Sequence, residues 1–94
     1  MRPLFRTLLI TGLVLAGCAE PPGSRAVVTG AGSELLKLRA GPGLGYRIRL
    51  GLPDGTVVTR HGCVTEVGQR WCHVSLADAP RMRGYVADDY LSDR

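Results

Sequence analysis

The chain has no apolar stretch of the length an ordinary membrane-spanning helix needs. Crossing about 30 Å of hydrocarbon takes roughly 20 mostly apolar residues. The run from Thr7 to Gly17 is about half that and gives way to Glu20, Pro21 and Pro22. No stretch of helix length repeats its apolar residues with a 3.6-residue period, which speaks against a helical bundle. There is no basic run or stripe of the kind that tracks nucleic acid, so no nucleic-acid partner is expected. Arginines at 39, 47, 49, 60, 70, 81 and 83 are scattered and read as a solvated surface, with anionic lipid head groups as an alternative contact. No pair of carboxylates is placed for acid–base work, since Asp88 and Asp89 are adjacent and diverge on a strand. "GPGLG" lacks the Lys-Ser/Thr pair and the following helix of a phosphate loop. Phenylalanine occurs once, at position 5, so a core beyond the amino-terminal region has no Phe to use.

What the chain does have begins with Arg2 and Arg6 ahead of that short apolar run. A basic start and an apolar stretch of this length compose a secretory signal segment. Gly12 and Gly17 would each weaken a buried helix by about 1 kcal/mol against Ala. The run closes on Leu15-Ala16-Gly17-Cys18, which resembles the lipobox of bacterial lipoproteins, with every part in order over residues 1 to 19. The resemblance implies removal of residues 1–17 as a signal peptide and a diacylglycerol on the Cys18 thiol. It also allows acylation of the new amino terminus. Each buried acyl methylene contributes about 0.8 kcal/mol, so two chains on Cys18 suffice to hold the protein on a bilayer. Membrane lipid is thus one expected partner. Ala19, rather than Asp, follows the lipid-bearing position, which implies an outer-membrane address if the cell is Gram-negative. Residues 18–25, "CAEPPGSR", read as a tether reaching at most about 28 Å. Losing Arg2 and Arg6 takes the formal charge from +4 to +2.

An exported chain with three cysteines needs an account of the odd one. If Cys18 carries lipid, Cys63 and Cys72 remain as a disulfide pair in an oxidising compartment. Bridging them would close a loop of about 10 residues, worth roughly 2.7 kcal/mol. A metal site using His61 and His73 beside the two cysteines is the competing reading, with free thiols a third. The spacing matches no common zinc pattern, and along strands residues 61 and 63 share a face while 72 and 73 do not. No metal and no cofactor are therefore expected. A paired cysteine also leaves no nucleophile for a Cys-His mechanism.

From Ala26 onward short strands alternate with turns. Residues 27–29 are a β-branched run stopped by "GAGS"; "LKLR" alternates, with Leu36 and Leu38 against Lys37 and Arg39. "YRIRLGL" sets Tyr46, Ile48, Leu50 and Leu52 on one face, and Pro53-Asp54-Gly55 signals a turn. "TVVTRHGCV" and "WCHVSL" read as a hairpin around residues 65–70, "RGYV" as another strand, and "ADDYL" as one 3₁₀ or helical turn before a final edge. A small all-β domain over residues 26–94 follows, and closure into a barrel would remove exposed edges.

In this setting "LKLRAGPGLGYRIRLGLPDGTVV" resembles the opening of bacterial SH3-like (SH3b) domains. Leu36, Leu38, Arg39, Gly41, Pro42, Tyr46, Ile48, Leu52, Pro53 and Gly55 fall on that pattern, and Trp71, Val74, Gly84-Tyr85-Val86 and Tyr90-Leu91 on its later motifs. Cysteines placed like 63 and 72 also occur in that family. Lys37 stands where the family often has Asn, Tyr85 replaces its usual Trp, and residues 75–83 are longer than its tight turn. The resemblance implies an SH3-like barrel of five to seven short strands. It implies a non-catalytic, membrane-anchored binding module of the cell envelope for peptidoglycan peptide or a protein partner. An accessory subunit of an envelope protein complex is the alternative. Gly41 and Gly43 are expected to supply unusual backbone angles around Pro42. Arg39 is expected either to anchor that loop through carbonyls or to reach a ligand. Tyr46 and Tyr85 are expected to be partly exposed groove residues beside it, and Trp71 and Tyr90 to fill the core.

Overall fold

The computed structural model of the protein describes residues 23–93; the expected signal segment and Cys18, the expected lipidation site, lie outside them. Those residues form an all-β unit of seven antiparallel strands: β1 (Ser24–Val28), β2 (Leu36–Arg39), β3 (Ile48–Leu52), β4 (Val57–Glu66), β5 (Gln69–Leu76), β6 (Arg83–Ala87) and β7 (Leu91–Asp93). Two 3₁₀ turns, Gly32–Glu34 and Asp88–Tyr90, complete it. β1 starts two residues inside the expected tether, because Ser24 and Arg25 pair with Arg60 and Thr59 of β4.

The strands make one sheet in the order β3-β2-β6-β5-β4-β1-β7, with β3 and β7 at its unclosed edges. The sheet is strongly curled. Laid flat at about 4.8 Å per strand, β3 and β1 would lie roughly 24 Å apart. Instead Gly55, in the turn after β3, donates its amide to the Val28 carbonyl at 2.8 Å, and the Val28 amide reaches Thr56 at 2.9 Å. Asp54 in the same turn accepts the amides of Ala31 and Gly32 at 2.9 and 3.0 Å, tying the β1–β2 loop down. The curl wraps one aliphatic cluster: Ala26, Val28, Leu36, Leu38, Leu52, Val58, Cys72, Val74 and Val86. These are the alternate, inward positions of six strands, so burial follows the period-2 pattern of the sequence. Along β3 the pattern is only half used. Ile48 and Leu50 are exposed and Leu52 alone is buried, as suits an edge strand with a register shift against Leu38 and Arg39 of β2.

The β4–β5 hairpin is tighter than the expected six-residue connection. Pairing runs to Glu66↔Gln69, leaving Val67 and Gly68 as the turn. Both have positive φ, 51° and 78°, as a two-residue hairpin turn requires. A β-branched residue is rare in that region. Further up the hairpin the register slips between Arg60 and Gly62, a bulge that moves the inward positions of β4 from even to odd numbers.

Candidate functional site

The loop after β2 is built around Arg39. Its Nη1 donates to the carbonyl oxygens of Leu44 and Tyr46, each at 3.1 Å, while the Ala40 amide donates to the Arg47 carbonyl at 2.8 Å. The loop folds the Tyr46 ring back over Gly41. A Cβ on Gly41 would meet three atoms of that ring at 2.4–2.7 Å. Neither Gly41 nor Gly43 has positive φ, so the glycines serve close approach rather than the unusual backbone angles expected of them.

Across the sheet's outer face, this loop borders a groove made of two adjoining depressions of ≈ 370 and ≈ 710 Å³. Leu44, Trp71, Ala87 and Tyr90 line both. Leu35, Lys37 and Arg39 continue one end, and Pro42, Tyr46 and Val67 the other. Trp71 is only 4 % exposed but lies outside the inward cluster. It pairs with Val64 and Ala87, on the face opposite Cys72 and Val74. Tyr90 was expected in the core and is 40 % exposed, because the 3₁₀ turn Asp88–Tyr90 carries it to the groove. Tyr46 is 51 % exposed. Leu44 and Val67 stand almost bare on the rim. The sequence did signal the position of Trp71: it has the opposite parity to Cys72, Val74 and Leu76 along one strand.

Tyr85, the third expected groove residue, is not part of this lining. It is half-buried, pairs with Arg39 and His73, and its ring lies 5.0 Å from that of His73, tilted at 45°. His73 in turn lies 5.4 Å from the His61 ring, and His61 Nε2 is 2.8 Å from Ser75 Oγ. Arg39 is thus brought beside both tyrosines, but only Tyr46 belongs with it to the groove lining, while Tyr85 packs on His73.

Cys63 and Cys72 face each other across the β4–β5 ladder with their sulfurs at bonding distance, 2.03 Å. The bulge turns His61 to the face opposite Cys63, contrary to simple alternation, so both histidines point away from the sulfurs. The four residues do not converge, which removes the His/Cys metal arrangement. The group nearest the sulfurs is instead Asp88, whose Oδ1 is 3.3 Å from Cys72 Sγ; these three side chains bring ligand-type atoms within 4.8 Å of one another. With the sulfurs joined and Asp88 held by Arg60 at 3.6 Å and Arg70 at 3.3 Å, the cluster has no thiolate to offer a cation. Arg60 is almost fully buried and also pairs with Asp93 at 3.0 Å, stitching β4 to β7.

Compared with protein families, curated proteins and solved structures, the chain matches none.

Proposed function

We propose that the chain is a non-catalytic binding module of SH3b type, its curled sheet an SH3-like barrel, held to an envelope membrane by lipid on Cys18. Its groove takes a peptide segment, with peptidoglycan stem peptide the ligand class that the family resemblance suggests. The observation that carries this reading is an aromatic lining: Trp71, nearly buried yet outside the inward cluster, lines both depressions of the groove, with the exposed rings of Tyr46 and Tyr90 beside it. Flat rings bury area at little entropic cost, which suits recognition of an extended chain. Arg39 pins the loop that carries Leu44 and Tyr46, so it shapes the groove as well as bordering it. The lipid anchor and removal of residues 1–17 rest on the Leu15-Ala16-Gly17-Cys18 motif.

Trp71 is the only tryptophan, so its emission reports on the groove. Titration with soluble stem peptide should change that emission saturably, and Tyr90→Ala should weaken the effect. Retention on purified sacculi no better than that of a matched control barrel, with flat emission, would refute wall binding. The bare Leu44 and Val67 on the rim favour a second reading, an accessory lipoprotein that docks a protein partner. Crosslinking in intact cells separates the two: partners that are all protein, with no glycan strand, select the second.

A further inference from the structure

A neighbouring part of the outer face is cationic and shares no residue with the groove lining. The bulge in β4 sets His61 beside His73 of β5, ring centroids 5.4 Å apart, with Tyr85 of β6 packed on the far side of His73. From the edge strand β3, Arg49 reaches over and donates from Nη1 to the Arg83 carbonyl of β6 at 2.6 Å. Arg83 itself pairs with Ser75, whose hydroxyl touches His61. Among the described residues neither Arg49 nor Arg83 is within ion-pair distance of a carboxylate. Three carboxylates with clear partners are occupied elsewhere: Asp54 with the Ala31 and Gly32 amides, Asp88 with Arg60 and Arg70, and Asp93 with Arg60.

We propose that Arg49, Arg83, His61 and His73 form a binding site for a phosphate-bearing anion. Even with one Arg49 N–H given to the Arg83 carbonyl and His61 Nε2 engaged with Ser75, the two guanidinium groups and the His73 ring present more N–H donors than the two oxygens of a carboxylate can use, and a phosphate group has more oxygens to accept from them. Gathering like charges without a counter-charge is unfavourable, and a bound anion supplies it. His73 makes the site sensitive to acid. The groups facing His73 are His61 on β4, Arg83 and Tyr85 on β6 and Arg49 on β3. Burial first, and then repulsion from His61, Arg83 and Arg49, hold the His73 imidazole below its usual pKa. A bound anion opposes that repulsion and draws the proton back on. By linkage, binding then tightens as pH falls and His73 takes up its proton. The phosphate has two possible sources, free phosphate or a lipid head group.

The test is an NMR titration of the His73 ring in the full chain, embedded in nanodiscs of phosphatidylcholine. Three conditions are compared: no addition, inorganic phosphate, and replacement of part of the lipid by phosphatidylglycerol. An upward movement of the His73 pKa with inorganic phosphate supports a site for free anion. Movement only with phosphatidylglycerol supports a head-group site. R49Q/R83Q should then weaken binding about tenfold or more, as loss of charged hydrogen bonds does. R83Q alone serves if the double variant does not fold. An unmoved His73 under both additions, or undiminished binding by a folded Arg49/Arg83 variant, overturns the proposal. Sacculus and stem-peptide binding are read separately at Trp71, so either proposal can fail without the other.

Discussion

Reduction of the Cys63–Cys72 bridge should cost this domain a large part of its stability. The two residues are 9 apart in sequence, so the bridge closes a loop of about ten residues and withdraws about 2.7 kcal/mol of entropy from the unfolded chain. A domain the size of residues 23–93 has a total stability on the order of 4–10 kcal/mol. With a urea dependence near ~1 kcal/mol per molar for so small a unit, the unfolding midpoint should fall by about 2–3 M. The thermal midpoint should fall by about 10–20 °C. Emission of the lone Trp71 follows the transition, since its ring is nearly buried when folded. Oxidised and reductant-treated protein are unfolded in parallel, with mass spectrometry confirming the state of the bridge. Cys72 is fully buried, so reduction at neutral pH should be slow in the folded state and fast in urea. Midpoints that coincide within about 0.3 M would refute the reasoning, because the β4–β5 pairing would then hold without the loop constraint.

Other substitutions probe particular contacts. A Cβ on Gly84 would sit 2.5 Å from the Arg39 carbonyl oxygen, which is backbone and cannot swing aside, so Gly84→Ala should lose about 2–3 kcal/mol in a urea melt. Gly41→Ala meets the Tyr46 ring instead, and that ring can move into solvent. Its stability loss should stay near ~1 kcal/mol while groove-ligand affinity, followed at Trp71, drops. Val67 holds a positive φ that Asn tolerates better, so Val67→Asn should stabilise the hairpin by about 1 kcal/mol in thermal melts. If the rim binds protein, the same variant should bind less. The lowered pKa of His73 gives a sign for pH: the unfolded state takes up the proton more readily. The resulting penalty is absent above about 6.5 and grows as pH falls toward the lowered value, and His73→Gln should flatten the curve on the acid side.

Most of the strand pattern is legible in the residues alone. "LKLR" alternates because Leu36 and Leu38 face inward, and it is strand β2 over those four residues. Pro53-Asp54-Gly55 is a turn, and Asp88–Tyr90 a single 3₁₀ turn before a last strand. The candidate site is less legible in the sequence. Tyr46 and Arg39 do meet at the groove, but Tyr90 was expected inside and is exposed, and Tyr85 packs on His73. The glycines of "GPGLG" were expected to turn the backbone, whereas Gly41 makes room for a ring from five residues on.

Local chemistry belongs to the sequence: alternation sets which residues can share a face, Gly and Pro mark where strands stop, and the cysteine count proposes a bridge. Tertiary structure alone decided which face meets which neighbour. A one-residue bulge at His61 reversed the parity of the rest of β4; the adjacent Gly62 is compatible with a bulge, but only the pairing with β5 fixes which residue is displaced. The meeting of Arg49 with Arg83, and of Trp71 with Leu44 and Tyr90, depends on how far the sheet curls. Curl is the summed twist of seven strands over one small core, so it is a property of the whole packing and of no single segment.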